Sequence, residues 1–243
     1  MAREEEPRVI AVFNVMRHSI NEGDRLTAEG HALALSTGRI SARTLLSVPG
    51  ALETLQGNGL RVVNIHSPKV RTKQTAIDHY AGLVSNLALG RHVKDMWMHE
   101  TPKLNIPEML TAEGKKMDIP QREVELGKVY RGEETPHMES RKALLAEDRL
   151  GAVALVLKNI SRKLMPGEAR GKQPLLYLNY VTHGGIEKTP GNLNMLAELI
   201  IGKKPAELGG QFKQAEGMQF FVYSDGNVKT RITRQDPREN KWV

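Results

Sequence analysis

The sequence predicts an α/β protein: a three-layer α/β/α sandwich around a mostly parallel central sheet, with an inserted cap region. Two observations carry this expectation. Short apolar, β-branched runs bounded by turn residues alternate along the chain with longer stretches of helical character. One segment, Thr101–His137, breaks the alternation with Pro102, Pro107, Pro120 and Pro136, many charges and no sustained period. At 243 residues and 40% hydrophobic content, the chain suits one domain, 1–243, with the cap at 101–137.

The elements follow in order. Arg8–Met16 (RVIAVFNVM) is a continuous apolar run, a buried strand. Leu26–Ser36 carries spaced apolar residues behind Thr27, a helix cap. Ser41–Gln56 reads as another helical stretch, and Leu60–Ile65 as a second buried strand. Arg71–Leu83 reads as a helix and His92–Glu100 as a short strand. Beyond the cap, Glu139–Leu164 has the pattern of a long amphipathic helix. Gln173–Val181 (QPLLYLNYV) is a third strong strand. Asn194–Ile201 is helical, Met218–Tyr223 and Asn227–Ile232 are strands, and Arg234–Val243 is a polar tail.

Composition narrows the function classes. There is no cysteine, so disulfides, thiolate nucleophiles and thiolate zinc sites are excluded. No apolar run approaches a membrane span, and Met1–Arg8 carries no signal-peptide core. The expectation is therefore a cytoplasmic protein with no membrane partner. The net charge is +7 and the isoelectric point about 9.6. The basic residues are scattered, and aromatics are only 5%, which disfavours nucleic acid and favours a pocket for a small anion. His31, His79, His99 and His137 lack metal-ligand spacing, so neither a metal nor a cofactor is expected.

In open α/β sheets ligands sit at the carboxyl ends of strands. The first strand ends in Arg17–His18–Ser19, the second in His66–Ser67–Pro68 with Arg71 soon after, the third in Thr182–His183–Gly184–Gly185. Two arginines and two histidines converging on one crevice suit a phosphoryl group. Arginine offers a rigid fork of donors matching phosphate oxygens. A neutral imidazole nitrogen can attack phosphorus, provided its other nitrogen donates to a carbonyl or carboxylate. Flanking arginines help keep that imidazole neutral. Gly184 and Gly185 let backbone approach an anion. The pair Arg91–His92 follows no strand and is read as surface.

These residues resemble the histidine phosphatase superfamily. The resemblance rests on Arg17–His18, then Leu26–Thr27 with Gly30, then Ser67–Pro68 with Arg71, Gln74, Thr75 and Ala76, then Thr182–His183–Gly184–Gly185. It implies that His18 is the nucleophile, forming a phosphohistidine. It implies that Arg17, Arg71 and His183 hold the phosphoryl oxygens, with Ser67 orienting the pocket. Ser19 stands where the family usually has glycine. The branch with a glutamate proton donor places it after a short strand some thirty residues beyond the second arginine. Glu100, 29 residues after Arg71, fits best; Glu108 is the runner-up and Asp118 ranks below it. Glu139–Ser140, heading the helix beyond the cap, fits that branch too. The other branch has an Asp directly after the second histidine, and here that residue is Gly184.

The resemblance implies a metal-independent phosphomonoesterase acting on a small phosphorylated molecule. The alternatives are phosphoglycerate mutase-type phosphoryl transfer and a non-catalytic domain that binds inorganic phosphate. The basic cap residues Lys103, Lys115, Lys116, Arg122, Lys128 and Arg131 suggest an anionic group on the substrate beyond the phosphate.

Overall fold

The structure is a computed structural model of the chain; it describes residues 7–87, 93–104, 111–130, 133–137, 155, 158–159, 173–186, 189–190 and 192–243. In chain order the strands are β1 (Val9–Arg17), β2 (Asn21–Glu22), β3 (Arg25–Leu26), β4 (Leu60–His66), β5 (Val93–Glu100), β6 (Leu175–Thr182), β7 (Gly185–Ile186), β8 (Thr189–Pro190), β9 (Gly217–Tyr223), β10 (Val228–Thr233) and β11 (Lys241–Trp242). The α-helices are α1 (Ala28–Ser47), α2 (Ala51–Asn58), α3 (Val70–Asn86), α4 (Ile119–Tyr130) and α5 (Asn192–Leu196). The helix expected over Glu139–Leu164 lies outside the described residues except at Leu155, Lys158 and Asn159, which are helical.

Seven strands form the central sheet in the order β11-β10-β9-β1-β6-β4-β5. The strands β1, β6, β4 and β5 run parallel, and β9, β10 and β11 extend the sheet antiparallel, so five of the seven share one direction. That is the mainly parallel α/β sheet the alternation predicts. A strand buried on both faces needs a continuous apolar run, and β1 supplies it. Ala11, Phe13 and Val15 pack one face with Leu193, Leu196 and Phe212. Val12 packs the other with Leu45, Leu55 and Leu83.

Two expectations need correction. The stretches Leu26–Ser36 and Ser41–Gln56 are not separate helices: α1 runs unbroken to Ser47, and the break falls at Pro49–Gly50, where Gly50 turns left-handed at φ +74°. Between the two expected stretches lies the contact with α3. A Cβ on Gly38 would stand 2.0 Å from His79 O, and one on Gly82 2.0 Å from Leu35 O, so the helices meet backbone to backbone. The expected polar tail is also tied down. Arg234 is 4% exposed, and Lys241–Trp242 pairs with β10 as the last strand. The cap segment, in turn, contains the amphipathic helix α4.

A row of buried amides crosses the sheet under α1 and α3. Gln219, Asn14, Asn179 and Asn64 are register partners on β9, β1, β6 and β4. Asn14 Nδ2 donates to Asn179 Oδ1 (2.8 Å), and Asn179 Nδ2 to Asn64 Oδ1 (2.9 Å). A one-residue slip would turn every amide to the opposite face. The ladder therefore fixes the register of the three strands whose ends carry the candidate site.

Candidate active site

Parallel pairing of β1, β6 and β4 brings His18, His183 and Ser67 to one edge, each one residue beyond its strand. The rings of His18 and His183 meet edge to face with centroids 5.3 Å apart. His18 is only 7% exposed. Its Nδ1 lies 2.9 Å from Ser19 O. A carbonyl only accepts, so Nδ1 carries the proton and Nε2 keeps its lone pair. Burial, then Arg71 and Arg17, push the His18 pKa down to about 4, so the ring is neutral at neutral pH. His183 is pushed well below the ordinary histidine value, first by burial, then by His18 and the two arginines.

The two arginines flank this pair. Arg17 Nη1 donates to Phe212 O (3.1 Å). Arg71 Nη1 donates to Gly23 O (3.1 Å) and lies 3.7 Å from Asp24 Oδ1. The Nε atoms of both are buried and have no partner among the described residues. A buried, unpaired guanidinium N–H is costly unless an acceptor arrives. Burial lowers both arginines' pKa, and for Arg17 the charge of Arg71 is the next cause. Such a site favours an anion that neutralises both.

Ser67 serves the site indirectly. Its Oγ lies 3.2 Å from His183 Nε2 and 3.0 Å from Thr72 Oγ1. The Thr72 hydroxyl faces the carbonyls of Ser67 (2.9 Å) and Lys69 (2.6 Å), which claim its one proton. Ser67 therefore either donates to Thr72 while accepting from His183, or donates to His183. In both cases it orients the imidazole.

Other motif residues build the loop after His18. Thr27 caps α1 by accepting from Gly30 N (3.0 Å). Ser19 Oγ donates to Gly30 O (2.7 Å), and Thr75 Oγ1 accepts from Ser19 N (3.0 Å). Gln74 Oε1 accepts from Leu26 N (2.9 Å). A Cβ on Gly30 would stand 1.9 Å from Ile20 O. Ser19 thus fits the space with its hydroxyl satisfied. Gly184 lies directly against Arg17. A Cβ there would meet Arg17 Cδ at 2.4 Å, so the absent side chain makes room for Arg17.

Glu100 is not joined to this cluster. It is exposed, at the end of the edge strand β5, and among the described residues no hydrogen bond or ion pair links it to His18 or the arginines. With β4 and β6 between, its backbone stands ~14 Å from β1. Glu108 and Glu139–Ser140 lie outside the described residues, as does Arg91–His92. Asp118 caps α4 by accepting from Gln121 N (2.8 Å). Asp24, which the sequence reading did not single out, is the carboxylate held against Arg71, and its Oδ2 accepts from Val70 N (3.3 Å). No short motif signals it.

The cap cations are partly committed. Arg122 Nε donates to Met117 O (2.8 Å), and Lys128 pairs with Glu125 (2.6 Å). Arg131 lies outside the described residues. Among the described residues no group of three or more His, Asp or Glu could hold a metal ion, and no helix is long and apolar enough to cross a membrane. His31 pairs with Asp78 (2.6 Å), and His79 is fully buried.

No family model matches the sequence, and neither does any curated protein. Among solved structures the chain is similar to a phosphoglycerate mutase from Plasmodium falciparum, at 16% identity and TM-score 0.47, covering 96% of this chain and 97% of that one. It is similar to a mycobacterial glucosyl-3-phosphoglycerate phosphatase, at 14% identity and TM-score 0.45, covering 96% and 95%. It is also similar to a phytase from Klebsiella sp. ASR1, at 11% identity and TM-score 0.44, covering 98% and 90%.

Proposed function

We propose that the chain is a phosphomonoesterase of the histidine phosphatase type, acting through a phosphohistidine on a small phosphorylated molecule. One observation carries the reading: the Nδ1–H of His18 is committed to Ser19 O, so Nε2 offers its lone pair beside two arginines with unpaired buried Nε atoms.

Arg17, Arg71 and His183 hold the phosphoryl oxygens and stabilise their charge as it shifts. The His18 Nε2 lone pair forms a bond to phosphorus while the phosphorus–ester oxygen bond breaks. The leaving alkoxide takes a proton from Glu100, giving the alcohol. The Glu100 carboxylate then takes a proton from water, whose oxygen attacks phosphorus. The phosphorus–nitrogen bond breaks, its electrons return to Nε2, and phosphate departs. Glu100 is exposed and its side chain makes no hydrogen bond or ion pair among the described residues, whereas the Asp24 carboxylate is engaged by Val70 N and Arg71. Both the leaving oxygen and the attacking water lie at phosphorus, opposite His18 Nε2, so this role requires the Glu100 side chain to reach inward from the end of β5 to the phosphate site itself. No metal is required in this scheme.

The test is turnover of an aryl phosphate by wild type and His18→Ala, with and without a chelator. The expected result is turnover by wild type in both conditions and none by the variant. Chelator-sensitive turnover would remove metal independence, and full activity of His18→Ala would remove the nucleophile. Incubation with phosphoglycerate separates hydrolysis from mutase transfer by its products.

A further inference from the structure

Arg234 and Glu216 form an ion pair that is 3% and 2% exposed, with Nη1 2.7 Å from Oε2. Arg234 spends its Nη protons on one loop. Nη1 also donates to Gln211 O (2.9 Å), and Nη2 donates to Leu208 O (2.8 Å) and Gly210 O (2.8 Å). Its guanidinium lies over the Phe212 ring, 4.6 Å from the centroid. The Glu216 carboxylate accepts from Lys213 N (2.8 Å) and Gln235 N (3.1 Å) as well. Residues 208–216 are thus wrapped around one buried cation and its counter-ion.

The same loop holds the candidate site by three bonds. Phe212 O accepts from Arg17 Nη1 (3.1 Å), Glu216 O accepts from Arg17 N (2.9 Å), and Ala215 N donates to His18 O (3.2 Å). The loop is bent to do so. Gly209 and Gly210 lie at φ +93° and +97°, and Ala215 at φ +59° is the only non-glycine residue with positive φ among the described residues. A left-handed alanine persists only where its surroundings over-determine it. Removing the pair frees the loop to relax, and Arg17 and His18 with it.

We propose that Arg234 and Glu216 are positioning residues of the phosphate site, fixing Arg17 and His18 through the 208–216 loop they hold. This rests on the reading of His18 and Arg17 as a phosphate site. A buried ion pair is weak evidence of stabilisation, since well-packed apolar residues often serve as well. Its distinctive consequence here is geometric: it aims a carbonyl at Arg17.

The experiment is a double-mutant cycle on inorganic phosphate affinity, read by calorimetry on wild type, Arg234→Met, Arg17→Met and the double variant, with thermal unfolding of each. Arg234→Met should weaken phosphate binding about 10-fold or more, but by less than ~3-fold once Arg17 is already Met. Should Arg234→Met not fold, the nearly isosteric Glu216→Gln takes its place in the cycle, with the same non-additivity expected. Phosphate binding by wild type with additive losses overturns the positioning role alone. No phosphate binding by wild type overturns the phosphate-site reading, and the proposal with it.

Discussion

Gly184 and Arg17 are packed so closely that a β-carbon on Gly184 would stand 2.4 Å from Arg17 Cδ and 3.0 Å from Phe212 O. The end of β6 is shaped to let the guanidinium lie across it. Gly184→Ala should displace Arg17 and weaken competitive inhibition by inorganic phosphate about 10-fold or more, the loss of one charge-assisted contact. Its thermal unfolding should change far less than its phosphate affinity. An unchanged inhibition constant would show that Arg17 does not depend on this gap.

The depressed histidines set the pH behaviour. His18 titrates at about 4 in the folded chain against about 6.5 when unfolded. Neutral His18 is the attacking form, so the acid limb of kcat/KM that protonation of His18 causes, corrected for substrate ionisation, should lie near 4. An acid limb centred near 6.5 would contradict this. The same shift works on stability. The unfolded chain takes the proton first, so stability is full above about 6.5 and is lost as pH falls toward about 4. Fully buried His79, lowered to about 3 by burial, acts in the same direction.

The proton donor is separable by variants. Glu100→Gln should lower kcat about 100-fold or more and let phosphoenzyme accumulate. Asp24→Asn should chiefly raise KM by loosening Arg71, with kcat retained. The reverse pattern, a kcat collapse in Asp24→Asn with Glu100→Gln normal, would move the acid to the loop between β2 and β3.

The strand ends were legible because buried parallel strands are continuous apolar runs, and the residue after each run stands out. Arg17, His18, Ser67 and His183 follow such runs, and they do meet. Helix boundaries in α1 were not legible, since Gly38, a poor helix former, lies inside α1 where α3 packs against it. Arg234 sits in a charged C-terminal stretch and reads as surface. Its burial depends on Glu216, 18 residues earlier, a pairing that no local pattern announces. That Gly184 also leaves room for Arg17 depends on the pairing of β6 with β1, which no local pattern announces. The ion pair between Asp24 and Arg71 spans 47 residues and depends on where the β2–β3 loop folds back.

The mechanism turns on covalent phosphorylation of His18 Nε2. Rapid quenching of wild type with a radiolabelled aryl phosphate, followed by acid and base treatment and peptide mapping, reads this directly. The expected result is an acid-labile, base-stable label on the peptide carrying His18, strongest in Glu100→Gln and absent from His18→Ala. Turnover with no label in any variant, or a label that persists in His18→Ala, would contradict it.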